Sequence, residues 1–292
     1  MYLCALCVIK AISRRRSQRY AEDRRAVSLV VRRYGLALPG RGVKKDLLQE
    51  RSADYSRNRS VGLSKVKSLY GEIVKDLSPA VRPRRETLEG RVVLIQPLDP
   101  LIHSDALYEG THADHREELW RYLPEGPFPD RSTFDTYLNR ASVSEDPLFF
   151  AIVDKSSGVA VGMAAYLRVE PIHKVIEVGH ILFTPKLQRT VAATEAMFLM
   201  AQHVFSLGYR RYEWKCNALN ESSQRAARRL GFTFEGVFRQ HMIVKGRNRD
   251  TAWFSMLDSE WPARKASFEQ WLDAKNFDEN GVQKHSLSAF NG

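Results

Sequence analysis

The sequence predicts a mixed α/β fold, with a mostly antiparallel central sheet flanked by helices. Three observations predict it. Three strand-like runs, "PLFFAIVDKSSG", "VAVGMAAYLRVE" and "KVIEVGHILF", follow one another with no helix between them, as in an antiparallel meander. Two helical patterns stop at glycines, Gly208 and Gly231, where a left-handed residue commonly closes a helix. From Glu86 onward the element order reads β–αα–βββ–α–β–α–ββ, which suits one sheet with helices on its faces.

Taken in order, "RVVLIQPL" reads as a strand that Pro97 ends, since proline has no N–H to give a ladder. Residues 101–123 look helical, and "STFDTYLNRAS" is a further helix with Ser132 as its N-cap. After the meander, a helix is expected over 190–207. Its apolar positions Ala193, Met197, Met200, Val204 and Leu207 recur at helical spacing, and Gly208 follows. "YRRYEWKCN" is the next strand. "ESSQRAARRLGF" is a short helix with Gly231 at C′ and Phe232 just past it, the pattern of a Schellman end. "FTFEGVFRQHMIVKGRNRDTAWFSMLD" reads as a long hairpin turning at Lys245–Arg249. "WPARKASFEQWLDAK" then reads as an amphipathic helix with Pro262 in its first turn. The domain is expected over 86–275, with 276–292 as a flexible C-terminal tail.

Composition bounds the class. With 292 residues, 43% hydrophobic and 10% aromatic, the chain is of the soluble globular type. No apolar run approaches the ~18 residues that span a bilayer, so no transmembrane segment is expected. In "MYLCALCVI" the positive charges follow the apolar run instead of preceding it, the wrong order for a secretory signal. Cys4, Cys7 and Cys216 give an odd number at irregular spacing, which implies no disulfide framework and points to a reducing, cytoplasmic setting. Cys4 and Cys7 have no second pair to complete a zinc site, and no metal is expected.

The net charge of +11 is unevenly spread. Residues 1–85 carry 21 Lys/Arg against 7 Asp/Glu, and the remainder carries 24 against 27. This basic segment is expected to be largely disordered or loosely helical. Its composition suits contact with RNA, a ribosome or anionic lipid. It equally suits an organellar transit segment, against which Glu22 and Asp23 count, or an extension with no function.

The stretches "IEVGHILFTPKLQRTVAATEA", "CNALNESSQRAARRLGF" and "FEGVFRQHMIVKGRNRDTAWFSML", with the Trp-Pro that follows, together resemble the GNAT acetyltransferase superfamily. Within it the chain is most similar to the branch of ribosomal-protein N-terminal (alanine) acetyltransferases. The resemblance covers about Glu86 to Trp261. It implies acetyl-CoA as donor, a sheet splayed between the fourth and fifth expected strands, and direct acetyl transfer without an acyl-enzyme. The donor pyrophosphate is implied to lie on the helix start at Gln188, Arg189, Thr190, Val191, Ala192 and Ala193. The pantetheine is implied along Ile181, Leu182 and Phe183 and at Asn220. The acceptor implied is a protein N-terminal α-amine or a small-molecule amine.

Acetyl transfer to an amine needs the amine neutral, the thioester carbonyl polarised and the leaving thiolate stabilised. Glu177, in "IEVGH", matches the glutamate of the family's E-[IV]-G motif and is the candidate base; a strand carboxylate paired to a local Arg is the competing reading. His180 ranks behind it. Ser223, in Asn220-Glu221-Ser222-Ser223, is the candidate proton donor to sulfur, although Asn220, Ser222 or Ser223 equally suits a helix cap. The carbonyl is expected to meet a strand amide near Ile181 or Leu182. Trp120, Tyr122 and Phe128 are candidates for an acceptor pocket or, alternatively, for the core.

One departure stands out. The family's Q/R-x-x-G-x-G/A loop here reads "QRTVAA", with Val191 at the central glycine and Arg189 at a second. Arg189 and Thr190 are expected to compensate as donors to phosphate. The glycine-free loop and the basic segment together support an alternative, an RNA- or ribosome-binding protein with a catalytically idle acetyltransferase-like domain.

Overall fold

The computed structural model describes residues 71–114 and 116–291. Most of the basic segment, and the RNA reading attached to it, lies outside the described residues. The sheet has eight strands: β1 (Leu88–Glu89), β2 (Val93–Pro97), β3 (Leu148–Asp154), β4 (Val159–Glu170), β5 (Val175–Phe183), β6 (Arg211–Asn217), β7 (Thr233–Val244) and β8 (Arg247–Leu257). Its order is β1-β2-β3-β4-β5-β6-β8-β7. Every neighbouring pair is antiparallel except β5 and β6. Those two are parallel and therefore need a long crossover, supplied by helix α4 (Val191–Ser206). The two-residue β1 at the sheet edge is an addition to the expected order.

Both faces of the sheet are covered, and β3 shows why. Leu148, Phe150 and Ile152 enter one core cluster; Phe149, Ala151 and Val153 enter the other. Alternate side chains leave a strand on opposite sides, so this run, apolar at every position but its last, buries both faces. The first cluster takes in α4 and α6 (Trp261–Leu272). The second takes in α1 (Pro100–His112), the short α2 (Arg116–Trp120) and α3 (Arg131–Val143). Glu195 of α4 ties the first face to the sheet edge. Its carboxylate accepts from the amides of Arg91, Val92 and Val93 at 2.7–3.0 Å.

The local signals held in part. The helix α5 (Glu221–Arg229) ends as a full Schellman motif: Phe232 N donates to Ala227 O, Gly231 N donates to Arg228 O, and Gly231 has φ +89°. Gly208, at φ +85°, follows α4 as expected. The cap of α3 is Asp130, whose Oδ1 accepts from Thr133 N at 2.9 Å, in place of Ser132. Residues 101–123 form two helices, because the chain leaves helical geometry after His112. The hairpin turns on Lys245 and Gly246, at φ +49° and +70°, so Arg247–Arg249 already belong to β8.

Both expected boundaries move. The folded unit includes Ile73 onward: Ala80 N and Val81 N donate to Pro171 O and Leu207 O, and Lys174 holds Asp76 at 2.8 Å. At the other end, 276–291 is folded onto α6, correcting the expectation of a flexible tail. Trp271 Nε1 donates to Gln283 Oε1 at 2.9 Å, Asn276 Nδ2 donates to Trp271 O, and Leu287, in the short helix α7 (Leu287–Phe290), is wholly buried. Among the described residues, no helix is long and apolar enough to cross a membrane.

Candidate active site

The parallel pair β5–β6 comes apart partway along. Pairing runs from Val175–Arg211 to Val178–Trp214 and stops. Beyond it β5 continues to Phe183 beside β4 alone. There it carries a bulge, since Gly179 pairs with Ala165 but Leu182 pairs with Met163. His180, at φ +49°, occupies this bulge, so His180 and Ile181 leave the ladder that would otherwise occupy their amides. The gap widens into a cleft of about 1750 Å³, beyond the ~1,000 Å³ that holds one drug-sized ligand. It has room for two substrates.

One end of the cleft is the start of α4. Gln188, Arg189, Thr190, Val191 and Ala193 line it, and Ala192 packs against the core beside them. Thr190 is the N-cap: its Oγ1 accepts from Ala193 N at 3.2 Å and donates to Leu187 O at 2.6 Å. Its hydroxyl proton is therefore engaged within the fold, which corrects the expectation of a phosphate donor there. Val191 also packs against the core. Arg189 has φ +61°. The left-handed conformation disfavours any side chain with a Cβ, so a glycine here would serve the backbone as well as ligand approach. Arg225 and Arg229 also line the cleft: Arg229 donates to Thr194 Oγ1 in the first turn of α4 at 3.1 Å and stacks 5.0 Å from the Trp271 ring centroid, while Arg225 pairs with Glu221 at 3.1 Å.

At the apex of the gap lie the reacting-group candidates. Asn220 caps α5, its Oδ1 accepting from Ser223 N at 3.1 Å. Ser223 Oγ accepts from Trp214 Nε1 at 3.0 Å, which leaves its hydroxyl hydrogen to the Cys216 thiol beside it or to a ligand. Both readings of the Asn-x-x-Ser motif are thus compatible, with Asn220 alone as the cap. Cys216 lies beside Ser223; burial pushes its thiol up, and the Ser223 hydroxyl pulls against that.

Glu177 is buried and ion-paired, with Oε2 2.9 Å from Lys215 Nζ and 3.1 Å from Arg168 Nε. Lys215 also reaches Glu213 at 2.6 Å and sits 3.8 Å from the Trp253 ring centroid. Burial pushes the Glu177 carboxyl above the usual carboxylate range; Lys215 and Arg168 pull it down, and Glu213 adds to the rise. His180 packs edge-on to Phe149 at 5.0 Å, and burial holds it below its usual value.

Of the three aromatic candidates, Tyr122 lines the cleft and its hydroxyl donates to Leu219 O at 3.1 Å. Trp120 is buried in an aromatic cluster with Phe128, Phe134 and Tyr137, and neither it nor Phe128 lines the cleft. Sequence reasoning missed Arg168 and Arg249. Lys215 lay in the stretch Tyr212–Cys216, which the sequence offered without ranking as a candidate for acceptor recognition; alternation puts it on one face with Glu213 but does not pair it with Glu177.

A splayed parallel pair, with a helix start at one end and an acid and a hydroxyl at its apex, defines a transferase of the acyl-CoA-using kind. Residues 92–233 match the family model described as an acetyltransferase (GNAT) domain. A GCN5-related N-acetyltransferase from Brucella melitensis is 49% identical, over 75% of this chain and 99% of its own, with a TM-score of 0.73. A GNAT-family structure from Chromobacterium violaceum is 41% identical, over 67% of this chain and 98% of its own, with a TM-score of 0.63. An acetyltransferase from Salmonella typhimurium that modifies the N-terminal serine of a 50S ribosomal subunit protein shares the fold, at 19% identity over 59% of this chain and 99% of its own, with a TM-score of 0.52. A search of curated proteins returned no match. The chain belongs to the GNAT acetyltransferases, a family that uses acetyl-CoA.

Proposed function

We propose that the protein moves acetyl from acetyl-CoA directly to a primary amine, with both substrates held together in the cleft. The observation that carries this reading is the fork after Val178 and Trp214, with Glu177 on one strand and the Trp214–Ser223 bond at the other. The residues present fit the donor. Helix α4 opens with first-turn amides that have no intrahelical acceptor and that favour an anion. Arg189 and Arg229 bring cations to the same end, and β5 offers an edge from Gly179 to Leu182 that β6 leaves unpaired, for an extended amide chain.

When bound, acetyl-CoA supplies an activated acetyl group on sulfur. Around it, Glu177 takes the proton of the entering ammonium. An α-amine, near pKa ~8, gives it up more readily than a lysine, near ~10.4. Ser223, oriented by Trp214, donates its hydroxyl hydrogen toward the sulfur and is reprotonated by the second proton that the amine nitrogen loses. The bulge at His180–Ile181 frees amides for the carbonyl oxygen. The acceptor is a protein N-terminus or a small amine. The ribosomal-protein activity of the Salmonella neighbour makes a protein N-terminus worth testing first.

Thermal unfolding with and without acetyl-CoA tests the donor: at 100 times Kd a ligand adds ~2.7 kcal/mol, and no shift at millimolar acetyl-CoA would sink the reading. Mass spectrometry of a peptide and amine panel then identifies the acceptor.

A further inference from the structure

Arg249 brings into the cleft a cation that forms no side-chain hydrogen bond or ion pair among the described residues. It is the third residue of β8, half-buried, and lines the cleft; its Nε is buried and has no hydrogen-bond partner among the described residues. It stands near the Cys216 thiol and close enough to Glu177 and Arg168 for their charges to act on it, and it acts in turn on His180 and His241. The carboxylates around it are committed elsewhere. Glu177 is held by Lys215 and Arg168, Glu213 by Lys215 and Arg211, and Glu125 by Arg140. Asp250 accepts from Gln240 N and Asn248 Nδ2.

A partly desolvated guanidinium without an anion is costly, and its planar fork matches a carboxylate or a phosphate. We propose that the acceptor is a primary amine bearing an anionic group, carboxylate or phosphate, close to the amine, and that Arg249 receives that group. The inference rests on the amine-acceptor reading above and narrows its substrate class. The same cations disfavour a purely cationic amine. They also lower the pKa of an ammonium that enters beside them, which eases the proton's passage to Glu177.

The test uses matched acceptors with the full-length protein. Tripeptide amides beginning with Asp, Asn, phosphoserine or Ser are compared, and so are ethanolamine phosphate and ethanolamine. These pairs separate carboxylate from phosphate and peptide from small molecule. The wild type should favour the anionic member of at least one pair by about tenfold or more in kcat/KM, the scale of one hydrogen bond to a charged group. In Arg249→Gln that ratio should fall to about one, and Arg249→Lys should keep part of it. An unchanged thermal shift by CoA confirms that both variants fold.

A ratio near one in the wild type overturns the proposal. So does a ratio that survives Arg249→Gln, or a variant that slows every acceptor equally, which would place Arg249 on the reacting centre. A readout without turnover accompanies it: at saturating CoA, inorganic phosphate should raise the Tm of the wild type but not of Arg249→Gln. If no amine is acetylated while CoA still binds, the amine reading fails, and the phosphate shift alone decides whether Arg249 holds an anion.

Discussion

Lys215 reaches back across the fork to Glu177. It is the first residue of β6 beyond the paired stretch, yet its Nζ lies 2.9 Å from Glu177 Oε2 on β5 and 2.6 Å from Glu213 on its own strand. The ammonium joins the two strands at the point where their backbones separate. It also keeps a negative charge tolerable in a buried position.

Replacing Lys215 should therefore change both stability and pH dependence. Lys215→Met leaves Glu177 and Glu213 buried without their shared cation, at a cost of roughly 3–5 kcal/mol, readable by urea denaturation. Glu177 must be ionised to accept a proton. Its pKa is already raised by burial, and Lys215 pulls it down. Without Lys215 it rises further, so the acidic limb of kcat/KM should move to higher pH. An acidic limb that stays in place would remove Glu177 as the base.

Arg189 should trade stability against donor affinity. Arg189→Gly relieves a side chain from φ +61° and should stabilise the fold by about 1 kcal/mol. If Arg189 makes the proposed charge-assisted contact to phosphate, both Arg189→Gly and Arg189→Ala lose it, and KM for acetyl-CoA should rise about tenfold. An unchanged KM with a raised Tm would show that Arg189 is only strained.

Ser223→Ala should keep the α5 cap, which is the Asn220 carboxamide, and should cost about 1–3 kcal/mol through the buried Trp214 N–H left without its acceptor. If Ser223 protonates the leaving sulfur, kcat falls by about 10²-fold while KM for acetyl-CoA holds. Asn220→Ala should cost ~1 kcal/mol of stability through the lost cap. Stopped-assay kinetics and thermal melts on the two variants separate the roles.

Truncation after residue 275 should destabilise the domain rather than trim a loose end. It removes the buried Leu287, the Gln283 partner of Trp271 and the Asn291 contact with Arg264. Burial of the leucine alone is worth about 1.5–3 kcal/mol. A Tm equal to that of the full chain would contradict the packing of this segment.

The sequence by itself determined the order of the seven longer strands and of the helices between β5 and the end of β8, the Schellman end at Gly231, the glycine stop after α4 and the concentration of positive charge before residue 86. These are local: each rests on residues a few positions apart, whose chemistry acts within one turn or one strand. The Asn220 to Ser223 motif was legible for the same reason. Only the tertiary structure decided that Asp130, not Ser132, caps α3, and that Trp120 and Phe128 serve the core. It alone showed the left-handed backbone of Arg189, the folding of the last residues onto α6 and the meeting of Lys215, Arg168 and Arg249 around Glu177. Those outcomes depend on strand register and on contacts between segments up to 80 or more residues apart. Strand alternation tells which residues share a face, but which charges meet is settled by how the strands pair and where they part.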